Sequence, residues 1–238
     1  SLMLLNGPDV RIEFDSLDDG LIALTGGRSS IMLGNQAVET EVRLAADNGP
    51  TKGKILRPGD NKEPASFAFV QCAGSRDENH LEHCSYICCM ATFKHISYIR
   101  SQYPDAKIYV FYIDLRTPGK YEHFREKYMA DANTTFIKGK VADIVAERDG
   151  GVTVTAEDAV SGRKVHQKVD LCVLATGMEP ALGDQGRALG VKLDGNGFAV
   201  SEPEKGMFAA GCAKSAVDVY TSGQSSTAAA LKAIQIGR

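Results

Sequence analysis

Two short apolar runs, Phe67–Val70 and Lys107–Ile113, flank a stretch in which Ile87, Met90, Phe93, Ile96, Tyr98 and Ile99 recur at roughly helical spacing. A short apolar run bounded by turn formers reads as a buried strand, and a 3.6-residue recurrence reads as one face of a helix. The order is strand, loop at Gly74, helix from near Cys84, turn at Pro104-Asp105, strand. Gly119 to Ala130 predicts a second, amphipathic helix with Tyr121, Phe124, Tyr128 and Met129 inward. Its charges, Glu122, Arg125, Glu126 and Lys127, form a solvated face.

The period then changes. Thr135–Ile137, Val141–Ala146, Val152–Ala156 and Lys164–Lys168 alternate, with turns at Asp149-Gly150-Gly151 and Ser161-Gly162, and predict an antiparallel meander. It feeds Val169–Leu174, apolar except for Asp170, and then Ala175-Thr176-Gly177. Further on, Gly206–Gly211 reads as a strand, and Ser222 to Ile236 as a helix whose Ala228, Ala229 and Ala230 allow close packing. Upstream, Val10–Phe14 and Leu21–Leu24 predict short strands and Glu39–Ala46 a short helix, while Gly26-Gly27-Arg28 reads as a turn. Residues 50–64, with three prolines, read as a linker or crossover. This gives three regions: an N-terminal segment and linker over 1–64, a dinucleotide-binding-like domain over 65–180, and a returning segment over 181–238.

Strand, loop, helix is the opening unit of a Rossmann-like fold, where a glycine-rich turn would cradle a pyrophosphate. The turn here has no G-x-G-x-x-G. It carries Cys72, Cys84, Cys88 and Cys89, in the pattern C-x11-C-x3-C-C. Four of the six cysteines thus fall within eighteen positions, while Cys172 and Cys212 stand apart. On a helix Cys84 and Cys88 share a face, with Cys89 on its edge and Cys72 closing from the strand end. Four thiolates suit a cubane iron–sulfur cluster, and a helix N-terminus favours its negative charge. Adjacent core cysteines, a structural zinc without the usual C-x2-C pairs, and a Cys84–Cys88 dithiol stay open on spacing alone. Cys172 reads as a core residue.

The 238 residues, 43% hydrophobic, suffice for one substantial core or two modest ones. A net charge of −3 with interspersed signs lacks the basic stripe of a nucleic-acid binder. No apolar run approaches the ~20 residues of a membrane span, and no secretion signal is evident, so a cytoplasmic location is expected. No Ser–His–Asp set, paired carboxylates or H-E-x-x-H supports hydrolysis. His80, His83 and His95 flank the cysteines as hydrogen-bond donors around the ligands, as stray ligands or as loop residues.

The run FVQCAGSRDE, CSYICCMATFKHI and YVFYIDLRTPGKYEHF, with ADNGPTKGKILRP before it and DLCVLATGMEP after it, resembles the A subunit of heterodisulfide reductase. Within that family, FAAGCAKSAVDV and TAAALKAI are most similar to flavoproteins of the quinone-interacting membrane-bound oxidoreductase complex. The resemblance covers roughly residues 40–238 and implies an α/β fold of the two-domain flavoprotein, disulfide reductase-like kind. It implies FAD as one cofactor and a [4Fe–4S] cluster on Cys72, Cys84, Cys88 and Cys89 as the other. It also implies flavin-side contacts at Gly177, Gly211, Cys212, Ala213 and Asp218, with Cys212 standing where flavoproteins usually carry aspartate. Departures in SAVDVYTSGQ, where relatives usually have a proline, leave that loop path open. Residues 1–60 contain no FAD diphosphate fingerprint, so the chain is expected to be a segment of a longer protein with weak or absent FAD affinity.

Two functions follow from this resemblance and these motifs. One is an electron-transfer module, passing electrons between a flavin and partner subunits through a cluster. The other is a pyridine nucleotide–disulfide reductase, which needs a nucleotide loop and a redox C-x-x-C that the chain does not carry.

Overall fold

The computed structural model describes residues 4–5, 11–12, 31–33, 51, 53–57, 60–180 and 182–236. The expected elements at Leu21–Leu24 and Glu39–Ala46 and the turn at Gly26-Gly27-Arg28 lie outside the described residues. The chain divides into two compact units, residues 1–74 with 88–176 and residues 75–87 with 177–238.

The first unit is built on a five-stranded, all-parallel sheet. Its strands are β3 (Ile31–Leu33), β4 (Ser66–Val70), β5 (Lys107–Tyr112), β6 (Thr134–Lys138) and β10 (Leu171–Leu174), in the order β3-β10-β4-β5-β6. A separate small ribbon pairs β1 (Leu4–Leu5) with β2 (Arg11–Ile12). β4 lies at the sheet's centre, and its Phe67, Ala68 and Phe69 are almost fully buried, as parallel strands covered on both faces require. Helix α1 (Cys88–Gln102) has no glycine or proline inside it and buries Phe93, Ile96 and Ile99 in this core. Burial of each such side chain contributes about 1.5–3 kcal/mol. Pro104 stops the helix by removing an amide donor and restricting the residue before it. Ile55 is a core residue rather than a free linker: its amide donates to Gln102 Oε1 at 2.8 Å and its carbonyl accepts from the Tyr103 hydroxyl at 2.6 Å.

The meander has three strands, β7 (Val141–Ala146), β8 (Val152–Glu157) and β9 (Lys164–Val169). Thr135–Ile137, expected to belong to it, pairs in parallel with β5 instead, because it follows helix α2 (Glu122–Met129) and so returns as a crossover strand. That helix is shorter than expected and buries only Tyr128. Tyr121 is 50% and Met129 39% exposed, since eight residues pack against α1 and the sheet edge along a single line.

Asp170 divides the expected Val169–Leu174 strand, and its position explains why a polar residue interrupts an apolar run. Its Oδ2 accepts hydrogen bonds from the Ala65 amide, the Ser66 amide and the Ser66 hydroxyl, each at 2.9 Å. Arg57 donates to Oδ1 at 3.4 Å and to the Asp149 carbonyl at 3.0 Å. One carboxylate thus joins the start of β4, the end of the meander and the crossover. Cys172, two residues on, is fully buried, and desolvation alone pushes its thiol up to about 12.

The second unit holds α3 (Gly183–Ala188), a 3-10 turn at Pro203–Lys205, α4 (Gly211–Lys214) and α5 (Val219–Ile236). Gly206–Gly211 is not a strand. Gly206 (φ +70°) ends the 3-10 turn in the left-handed region and Gly211 (φ +56°) opens α4, so only the isolated bridge Glu202–Met207 forms. Among the described residues no helix is long and apolar enough to cross a membrane.

Two outcomes are expected. Asp170→Ala leaves four donors without this acceptor and lowers stability in urea unfolding by about 1–3 kcal/mol, and a change under about 0.5 kcal/mol contradicts this role. In the folded, reduced protein at pH 8, maleimide labels exposed Cys212 and spares Cys172, which is fully buried and whose thiol burial pushes up to about 12. Labelling of Cys172 before unfolding contradicts the burial argument.

Candidate functional site

Cys72 is the second residue beyond β4, at the carboxyl end of the central strand, where open α/β sheets place their ligands. It is a non-glycine residue in the left-handed region (φ +56°), a conformation that persists only where its surroundings hold it. Its two neighbours do so. The Gln71 amide donates to the Phe111 carbonyl at 2.9 Å, and the Ala73 amide to the Ala175 carbonyl at 3.1 Å, continuing the sheet on both sides. Gln71 Nε2 also donates to Thr92 Oγ1 at 2.5 Å, a buried bond tying the strand end to α1.

Cys88 and Cys89 are the first two residues of α1 and are 9% and 8% exposed. In the same loop region, Cys89 Sγ lies 3.8 Å from the Asp114 carbonyl oxygen, and Arg116 bridges both Asp114 carboxylate oxygens at 3.2 and 3.3 Å. Three of the four motif cysteines thus stand at the carboxyl end of the parallel sheet, on the β4 exit and the first turn of the following helix.

Cys84 is placed differently from the sequence expectation. The helix starts at Cys88, so Cys84 and Cys88 do not share a helical face. Tyr86 adopts φ +67° and the Ile87 amide bonds back to the Ser85 carbonyl at 2.7 Å, a tight turn that prevents earlier helix initiation. Cys84 belongs to the 75–87 segment of the second unit, where its half-buried sulfur accepts a hydrogen bond from the Tyr86 amide at 3.3 Å.

That segment carries two serines the sequence reading passed over, beside His83, which it named among the histidines flanking the cysteines. Ser75 and Ser85 are each 1% exposed, with hydroxyls 3.2 Å apart. Ser85 Oγ accepts the Met178 amide at 2.8 Å, and His83 Nε2 lies 2.9 Å from the Met178 carbonyl oxygen. The His83 ring meets Phe198 edge-on, at 5.0 Å between centroids. Gly177 sits at φ +93°, and a Cβ there would lie 2.1 Å from Ser85 Oγ and 2.4 Å from Ser75 Oγ. The close approach that demands glycine at 177 is therefore to these two serines. A-T-G was the sequence signal, but its partners lie some ninety residues earlier. His80 is exposed, and His95 is buried in α1, stacked on Phe69 at 6.3 Å.

The remaining expected flavin contacts are engaged within their own unit. The Gly211 amide donates to Ser225 Oγ at 2.8 Å, and the Ala213 carbonyl accepts the Ala199 amide at 2.7 Å. Exposed Cys212 Sγ is 3.5 Å from the Val217 carbonyl and 3.7 Å from Ser222 Oγ. Asp218 caps α5, its Oδ1 accepting the Thr221 amide at 2.7 Å.

All six cysteines are thiols rather than disulfides. Among the described residues no three His, Cys, Asp or Glu side chains stand together in metal-holding range. The donor set nonetheless fits an iron–sulfur group in kind: soft sulfur ligands, buried or half-buried, two on a helix's first turn where amide N–H groups favour an anion.

No family model matches the chain. It is 35% identical over 207 residues to the A subunit of the ferredoxin:CoB-CoM heterodisulfide reductase of Methanosarcina mazei, covering 82% of this chain and 26% of that protein. It is 35% identical over 211 residues to an iron–sulfur A subunit of the CoB–CoM heterodisulfide reductase of Methanopyrus kandleri, covering 83% and 32%. A protein of Archaeoglobus profundus similar to the heterodisulfide reductase A subunit is 34% identical over 227 residues, covering 82% and 32%. The chain spans about a quarter to a third of the length of these relatives. Among solved structures, T. acidophilum thioredoxin reductase superposes with a TM-score of 0.53 at 14% identity, covering 90% of this chain and 58% of that one. The fold is that of the two-domain disulfide reductases, and over the matched segment the chain is similar in sequence to the A subunits of heterodisulfide reductases.

Proposed function

We propose that the chain is an electron-transfer segment of a flavin- and iron–sulfur-dependent oxidoreductase, with Cys72, Cys84, Cys88 and Cys89 holding a [4Fe–4S] cluster. The observation that carries this is the replacement of the dinucleotide loop by cysteines where the parallel sheet hands over to α1. The Methanopyrus kandleri relative, named for its iron–sulfur content, supports it. Bound there, such a cluster supplies a one-electron relay. The protein's part is to fix the sulfur ligands, place the α1 amides against negative charge and exclude water with the Phe93 and Ile96 core behind them.

FAD is the second cofactor of this reading. The expected contacts at Gly177, Gly211, Cys212, Ala213 and Asp218 are bonded or packed within their own unit and do not by themselves form a diphosphate site. The flavin therefore belongs to this reading through the longer relatives and the shared fold. Partner redox subunits belong to it in the same way, including those of a quinone-interacting complex suggested by residues 208–219. Helix α5 leaves Leu231, Ile234 and Ile236 each 56% exposed, an apolar surface suited to a partner or to self-association.

A pyridine-nucleotide reductase is less well supported. The loop after β4 carries a single glycine, Gly74 (φ +80°), where a dinucleotide turn uses three to let the backbone approach the pyrophosphate. The acidic Asp77 and Glu78 that follow would repel a pyrophosphate.

Reconstituted under argon with iron and sulfide, the chain should hold about four irons. Changing Cys88 or Cys89 to Ala should remove most of them, and a quadruple Ala variant that keeps its iron and its spectrum refutes the ligand set. Titration calorimetry with NADH or NADPH should show no binding tighter than ~1 mM, and micromolar binding would favour the reductase.

A further inference from the structure

Within the second unit, the residues on either side of Cys84 both dock on one peptide segment. Ser85 Oγ accepts the Met178 amide and His83 Nε2 bonds the Met178 carbonyl, so one residue's two backbone groups are taken by the two neighbours of the thiol. Both contacts are shielded: Ser85 is 1% exposed, and His83 Nδ1 is buried without a hydrogen-bond partner, its ring resting against Phe198. Since a carbonyl only accepts, Nε2 is the donor. The arrangement also explains the glycine at 177, because any side chain there would displace the Ser85 hydroxyl. The Tyr86 amide then points at Cys84 Sγ from a left-handed residue. Cys84 lies outside the sheet edge and the helix that hold the other three thiols, so its sulfur depends on this clamp and turn.

We propose that His83 and Ser85 are positioning residues that hold the Cys84 sulfur as a ligand by clamping the loop to the backbone of Met178. The inference rests on the cluster reading for its purpose, but the clamp itself is tested without metal. Outer partners of this kind commonly change metal affinity by about ten- to a hundred-fold.

The test uses the full chain with His83→Phe, Ser85→Ala, and the conservative His83→Gln and Ser85→Thr, which keep a donor and an acceptor at similar reach. In reduced, metal-free protein, peptide mass spectrometry follows alkylation at each cysteine. His83→Phe and Ser85→Ala should speed labelling of Cys84 about tenfold while leaving Cys72 at the wild-type rate, and the conservative variants should restore slow labelling. In reconstituted protein, the same two variants should lose one iron to ferricyanide about tenfold faster, giving a three-iron EPR signal. If Ser85→Ala does not fold, the His83→Phe and His83→Gln pair decides. Unchanged Cys84 labelling in the folded variants overturns the clamp. Faster labelling with wild-type iron loss overturns its role toward the cluster. A wild-type chain that takes up no iron overturns the cluster reading, and with it the ligand role, while the labelling result still reports on the clamp.

Discussion

The thiols of Cys72 and Cys84 are positioned by the hydrogen bonds of their neighbours in sequence. A cysteine side chain has one rotatable bond before its sulfur and only a weak hydrogen-bonding capacity, so it cannot orient itself in a loop. Cys72 is fixed because Gln71 and Ala73 continue the sheet to Phe111 and Ala175. Cys84 is fixed because His83 and Ser85 take the two polar groups of Met178. Cys88 and Cys89 need no such help, since the first turn of α1 carries them. The left-handed conformations of Cys72 and Tyr86 are tolerated because these bonds hold them.

Behind the cysteines, the parallel sheet supplies rigidity. β4 is paired on both sides, its side chains are buried on both faces, and its start is secured by the Asp170 carboxylate some hundred residues away in sequence. A redox group changing its charge by one electron gains from such a frame, because a stiff surround limits the reorganisation that accompanies transfer. The similarity to heterodisulfide reductase A subunits runs through this frame and spans a quarter to a third of those proteins' length.

The sheet strands were largely legible, because buried parallel strands read as unbroken apolar runs: Phe67–Val70 and Lys107–Ile113 match β4 and β5 within a residue or two. Thr135–Ile137 was legible as a strand but not in its pairing, since alternation of side chains says nothing about direction. The start of α1 was not legible. Helical spacing extends back to Cys84, and only the left-handed Tyr86, a backbone state no side chain there announces, delays the helix by one turn. The thiol positions at 72, 88 and 89 followed from the strand–helix handover. The His83–Ser85–Met178 contacts did not, because hydrogen bonds between segments ninety residues apart leave no periodic trace.

The central claim, that four particular thiols act as one ligand set, is tested most directly by comparing alkylation of every cysteine before and after anaerobic reconstitution with iron and sulfide. The account predicts that Cys72, Cys84, Cys88 and Cys89 become protected together, with Cys212 labelled in both states and Cys172 in neither. Iron uptake that leaves any of the four as reactive as before would contradict it.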